Sequence, residues 1–149
     1  MQKFKILNSN RFMNVLLRDS LFHTFLVREM TLYSDVKYKI DGTIHEDFYV
    51  SKDLPAAPFM SWAFLQPKII SLLVNNQIPS YMKIGFVTSP SKTAEISNEA
   101  NGFILNVLYE KNEFFLNTAW NPKEFTLDKS IEASWDNKIE QFLSKYTFI

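Results

Sequence analysis

The sequence predicts an α+β fold: a mostly antiparallel sheet with three helical regions. Three observations predict it. Two tight-turn signals, Asp41-Gly42 and Lys111-Asn112, each stand between stretches in which apolar and polar residues alternate, the period of a half-buried strand. The C-terminal stretch sets Ile131, Trp135, Ile139, Phe142, Leu143 and Tyr146 at helical spacing. A chain of 149 residues, 46% apolar and 15% aromatic, can fill a core without staples, so residues 1–149 read as one domain.

Phe4 and Ile6 alternate with Lys3 and Lys5 in a short strand. Asn8, Ser9 and Asn10 offer N-caps to a helix carrying Phe12, Met13, Leu16 and Leu17. Asp19-Ser20 interrupts it, and Leu21–Phe25 reads as a second helical turn. Val27–Ile40 favours strand, with a kink at Ser34-Asp35. Asp41-Gly42 is the strongest hairpin signal, and side-chain pairing chooses its register. A three-residue loop, Asp41-Gly42-Thr43, sets Ile40 opposite Ile44 and Val36 opposite Phe48; a two-residue loop sets Ile40 opposite Thr43. The first pairs apolar with apolar and is preferred. It puts Lys39 opposite His45 and Lys37 opposite Asp47 on the other face.

Pro55 and Pro58 mark Ser51–Pro58 as a loop. A helix over about 59–76 carries Trp62, Leu65, Ile69, Leu72 and Leu73 on one stripe. Pro67 kinks it or starts a new helix, since proline has no N–H and crowds the preceding turn. Pro79 blocks continuation, and Met82–Thr88 is a strand with Met82, Ile84 and Phe86 on one face. Gly85 within it marks a bulge or a close approach by backbone or ligand. The polar stretch Ser89–Asn101 is a loop or a short helix. In the second hairpin a tight turn at Lys111-Asn112 pairs Tyr109 with Phe114 and Val107 with Leu116. Asn106 then meets Asn117 on the opposite face, and Glu110 faces Glu113 at a solvated end. Glu124–Leu127 forms a last short strand, and Asp128 or Ser130 caps the C-terminal helix.

Composition excludes several chemistries. Gly42, Gly85 and Gly102 are the only glycines, and no two lie close together. Phosphate loops, dinucleotide-binding turns and nucleophile elbows all need clustered glycines. Without Cys there is no disulfide, thiolate metal site or Cys nucleophile. Net charge is zero and each half of the chain is within two charges of neutral, so no nucleic-acid footprint appears. The three arginines, Arg11, Arg18 and Arg28, all lie near the N-terminus. No stretch has the length of a signal peptide's apolar region or of a membrane helix. A soluble cytoplasmic protein with no membrane contact is expected.

The densest polar cluster is Asp41, His45, Glu46 and Asp47. One reading is a metal site or a His–carboxylate acid–base pair. The other is a solvated hairpin tip, favoured because Lys39 beside His45 is a poor metal neighbour. His23, among Leu21, Phe22, Phe25 and Leu26, reads as a core-edge histidine with its ring N–H satisfied. Trp62, Trp120 and Trp135 fall on apolar stripes and read as core. Tyr33, Tyr49 and Tyr81 border turns or strand ends and are the candidates for exposed aromatics. Ser89, Ser91 and Ser97 have no glycine elbow or partner His and read as loop residues.

Ile40-Asp41-Gly42 with Asp47-Phe48-Tyr49, then Trp62-x-x-Leu65-x-Pro67, then Phe125-Thr126-Leu127-Asp128-Lys129-Ser130 with Trp135-Asp136 together resemble an uncharacterised bacterial family, a domain of unknown function from Gram-positive anaerobes. The last motif is its most specific part, and the family supplies no catalytic residues. The element order, strand–helix–strands twice over, is similar to one domain of a DNA sliding clamp, but the 59–76 helix carries only Lys68 where a DNA-facing helix should be basic. The leading expectation is a non-catalytic binding or protein-interaction domain that self-associates or meets a protein partner, with no cofactor and no metal. The alternatives are an enzyme or metal-binding protein using Asp41, His45, Glu46 and Asp47, and a clamp-like nucleic-acid accessory.

Overall fold

A computed structural model describes residues 1–50 and 53–149. Among the described residues seven strands form one antiparallel sheet: β1 (Lys3–Lys5), β2 (Leu26–Tyr33), β3 (Lys37–Asp41), β4 (Met60–Ser61), β5 (Tyr81–Val87), β6 (Ala100–Glu110) and β7 (Glu113–Pro122). The order is β1-β7-β6-β5-β2-β3, with β4 sharing β3's side of β2. Four helices join them: α1 (Ser9–Arg18), α2 (Trp62–Ser71), α3 (Pro90–Ile96) and α4 (Ser130–Lys145). The α+β prediction holds with one helix more, because the polar stretch left open between loop and helix folds as α3, capped by Ser89. The two strand–helix–strand halves contribute to this one sheet rather than standing apart.

The second hairpin has the predicted register throughout. Tyr109 pairs with Phe114, Val107 with Leu116, Asn106 with Asn117 and Glu110 with Glu113. Lys111 and Asn112 lie at φ 52° and 65°, both in the left-handed region, as the tightest hairpin turns require.

The first hairpin is a correction. Its turn is not Asp41-Gly42 but Ser34–Val36: β2 pairs with β3 from Tyr33↔Lys37 to Glu29↔Asp41, and Ser34 N–H donates to the Val36 carbonyl at 3.0 Å. The proposed kink in one strand is therefore a reversal between two. Ile40 faces Met30, not Ile44, and Lys39 faces Thr31, not His45. Val36 and Phe48 are not partners, nor are Lys37 and Asp47, because Glu46–Phe48 is a single 3-10 turn. Gly42 serves space rather than turn geometry. A Cβ there would stand 1.7 Å from the Val27 carbonyl oxygen, where β2 shifts register between Val27 and Glu29. Gly85, by contrast, has room: the nearest atom to a Cβ would be Glu29 Cγ at 3.5 Å. No backbone crowds it.

Three smaller expectations also change. Residues 59–61 form a bridge and β4, so α2 starts at Trp62, capped by Ser61, and keeps Pro67 inside. Leu21–Phe25 consists of hydrogen-bonded turns. Glu124–Leu127 is not a strand. Of the predicted loop Ser51–Pro58, Ser51 and Lys52 lie outside the described residues; 53–58 have no regular structure.

One face of the sheet carries the core. Phe4, Met30, Leu32, Met82, Ile84, Phe86, Phe103, Leu105, Val107, Phe114 and Leu116 meet Phe12 and Leu16 of α1, Trp62 and Ile69 of α2, and Trp135, Ile139 and Leu143 of α4. Burying a large apolar side chain contributes roughly 1.5–3 kcal/mol, so this layer dominates stability. Polar groups inside it are matched. Trp62 Nε1–H donates to the Leu16 carbonyl and Trp135 Nε1–H to that of Ile104, at 3.0 and 2.9 Å. The other face is open: Lys83 and Phe115 are exposed, and Thr31, Leu108 and the Asn106–Asn117 pair, bonded at 2.9 Å, are half-buried. That pair is ordinary surface. The C-terminal turn is tied back by Arg11, whose guanidinium donates to the Tyr146 and Thr147 carbonyls at the end of α4.

Candidate functional site

The Asp41–Asp47 cluster does not converge. Asp41 ends β3 and accepts the Thr43 N–H at 2.9 Å. His45, Glu46 and Asp47 are exposed on the 3-10 turn that follows Ile44. Among the described residues no three His, Asp or Glu side chains stand close enough to hold a metal ion. His23 is half-buried, and its Nε2 bonds Gln66 Oε1 at 2.6 Å; Gln66 in turn donates to the Leu16 and Asp19 carbonyls. This network ties the end of α1 to α2. Tyr33 and Tyr81 stack at 4.7 Å on the open face of the sheet, with Lys37 over Tyr33. Tyr49 is half-buried against Phe48. Ser89 caps α3 and also contacts Ser91, so it is a structural hydroxyl.

The feature that stands out lies between β7 and α4, in residues 123–129. This strap has no regular structure, yet it is held at both ends. Lys123 N–H donates to the Glu99 carbonyl at 2.9 Å. Thr126 Oγ1 accepts the Asp128 N–H at 3.0 Å, and Asp128 Oδ1 accepts the Ser130 N–H at 2.9 Å. Those Ser130 bonds, through N–H and hydroxyl, hold the Asp128 carboxyl below its ordinary range, since they favour its charged form. Thr126 is half-buried while its neighbours point away: Phe125 is 88% exposed and Leu127 81%. Beside them Trp120, half-buried and stacked on Phe103, walls an open cleft of about 290 Å³ shared with Asn98, Glu99 and Phe125.

Sequence reasoning did not single out Phe125 and Leu127 as exposed candidates because their i, i+2 spacing is also that of a strand. One signal was available. Only five residues separate Pro122 from Asp128 at the start of the C-terminal helical stripe, which leaves little room for both a chain reversal and a further strand.

No helix among the described residues is long and apolar enough to cross a membrane. No curated protein and no solved structure matches the chain. A family pattern does match residues 15–148, which takes in every helix except the start of α1, and the strap with its Phe-Thr-Leu-Asp-Lys-Ser motif. The chain therefore belongs to DUF5721, a family of unknown function.

Proposed function

We propose that this is a non-catalytic interaction domain that docks through the 123–129 strap, and that one partner is a second copy of the chain. The exposure of Phe125 and Leu127 on a strap fixed at both ends carries the reading. Leaving two such side chains in water forgoes roughly 1.5–3 kcal/mol each, and they form an i, i+2 pair rather than scattered single residues. The second copy is favoured because one patch holds both parts of a contact: protruding Phe125 and Leu127, and the Trp120 cleft. A two-fold interface needs such a self-complementary patch. Among the described residues neither His45 nor His23 sits beside two carboxylates, and the His23 ring bonds Gln66 instead, which supports the non-catalytic reading over the enzymatic one.

Sedimentation equilibrium of the purified chain from low micromolar to about 0.5 mM tests this, a range in which weak dimers are visible. The wild type is expected to dimerise, and Phe125→Ser with Leu127→Ser to stay monomeric at an unchanged Tm. A wild type that is monomeric throughout overturns self-docking.

A further inference from the structure

The buried stripe of α4 is not wholly packed. Trp135, Ile139 and Phe142 of α4 face Leu21 and Phe25 of the 20–25 turns across a cavity of about 240 Å³. Thr24, Thr88, Ser89, Lys92 and Lys138 complete its wall. This cavity shares no residue with the strap or its cleft.

The walls divide by chemistry. The aromatic side is rigid: Phe25 stacks on Phe22 and Phe86, at 6.2 and 5.2 Å, and Phe142 meets Phe22 edge to face at 5.7 Å. Flat rings at such a surface favour an aromatic guest in offset or edge contact. The polar side is cationic. Lys92 and Lys138 line the cavity and are both solvent-exposed, positions from which a lysine stem can follow an apolar wall while its ammonium stays in water. Lys92 shares its charge with Glu95 at 3.4 Å, while Lys138 has no ion-pair partner among the described residues. No carboxylate lines the cavity. Thr24 is exposed and its hydroxyl can turn inward; Ser89 Oγ is already engaged, accepting the Lys92 N–H and bonding Ser91 Oγ, both at 3.2 Å. Thr88 is committed to Thr93 and to the Phe103 N–H.

We propose that this cavity binds a small aromatic carboxylate, its ring against Phe25, Trp135 and Phe142 and its anion between Lys92 and Lys138. Size sets the class. A dry cavity of about 150 Å³ accepts benzene, so this one suits a two-ring body, with the carboxylate reaching the rim.

The test is a titration of the full chain with 2-naphthoate and its neutral isostere 2-naphthamide, followed by amide NMR. A ligand of this size in a cavity of this kind is expected to bind with Kd about 0.1–1 mM. Signals of Thr24, Ser89, Lys92 and Lys138 should shift, and 2-naphthamide should bind about tenfold more weakly, the scale of two screened charges. Lys92→Met with Lys138→Met should erase that preference and leave the fold intact, both positions being exposed. Thr24→Phe, also at an exposed wall position, should block both ligands. Equal affinity for acid and amide overturns the anion site. Shifts centred on the open sheet face, or none up to 10 mM 2-naphthoate, overturn the cavity itself. Phe125→Ser with Leu127→Ser should bind 2-naphthoate as the wild type does, so failure at the strap and failure here are separate results.

Discussion

The two hairpins of this sheet use their turn residues in opposite ways. In β6–β7 the turn needs two residues in the left-handed region, and Lys111 and Asn112 supply them without glycine. In the β2–β3 region the one turn-like glycine, Gly42, stands outside any hairpin turn. No glycine here has positive φ, and Gly42 is required because a side chain would collide with the Val27 carbonyl. Glycine thus reports a backbone demand without saying which: freedom of φ and shortage of space leave the same letter in the sequence. The β2–β3 turn itself uses Ser34, Asp35 and Val36, with Asp35 Oδ1 accepting the Val36 N–H at 3.0 Å. A side-chain bond supports this glycine-free turn at the position read from the sequence as a kink.

The largest effect expected from this contrast is at Gly42. Gly42→Ala forces the backbone of residues 41–43 away from β2 and endangers two bonds, Gly42 N–H to the Arg28 carbonyl and Met60 N–H to the Gly42 carbonyl, at 2.9 and 2.8 Å. The expected cost is about 3 kcal/mol or more, which for a chain of this length lowers Tm by roughly 10 °C. Gly85→Ala is the control. Its Cβ meets only ordinary contacts, so its stability should stay within about 1 kcal/mol of wild type. Urea unfolding of both variants measures the difference, and equal losses would show that crowding is not what distinguishes the two glycines.

How much was legible follows from the same contrast. The β6–β7 register could be read because turn, alternation and partner are contiguous: every pair from Tyr109↔Phe114 outward is set by residues 103–120. α4 was legible for a similar reason, its stripe being local and long. The β2–β3 hairpin is just as local but was not legible, because its Ser34–Val36 turn has no glycine while Asp41-Gly42 beyond it carries the stronger turn signal, and the pairing past Gly42 passes to Phe59 and Met60, some seventeen residues on. The candidate sites were hidden by ambiguity rather than distance. Phe125 and Leu127 have strand spacing in a stretch that folds without regular structure. Trp135, Ile139 and Phe142 have core spacing, and nothing in that spacing says that part of their surface faces a cavity.

The β6–β7 turn offers the intermediate effect, with opposite sign. Two non-glycine residues at φ 52° and 65° each carry strain that glycine or asparagine lowers. Lys111→Asn with Asn112→Gly supplies the pair such a turn prefers. The change should raise stability by about 1 kcal/mol, or Tm by roughly 2–4 °C. Thermal unfolding beside wild type decides it; a loss would mean that the Tyr109 hydroxyl's bond to Asn112 Oδ1, at 3.3 Å, outweighs the backbone strain.

The smallest effect separates a stabilising charge at Asp41 from packing alone. Thr43, through its hydroxyl and its N–H, holds the Asp41 carboxyl below its ordinary value of 3.8. A depressed folded pKa contributes stability that is present above the unfolded value and lost as pH falls through the folded one. Asp128 and Glu132 behave alike near the start of α4, so the wild-type acid limb contains all three contributions and only a difference isolates Asp41. Wild type should exceed Asp41→Ala at pH 6, and the gap should close as pH falls below about 4. A gap that persists unchanged at pH 3 would mean that Asp41 supports the chain leading into Gly42 by packing alone, with its charge playing no part.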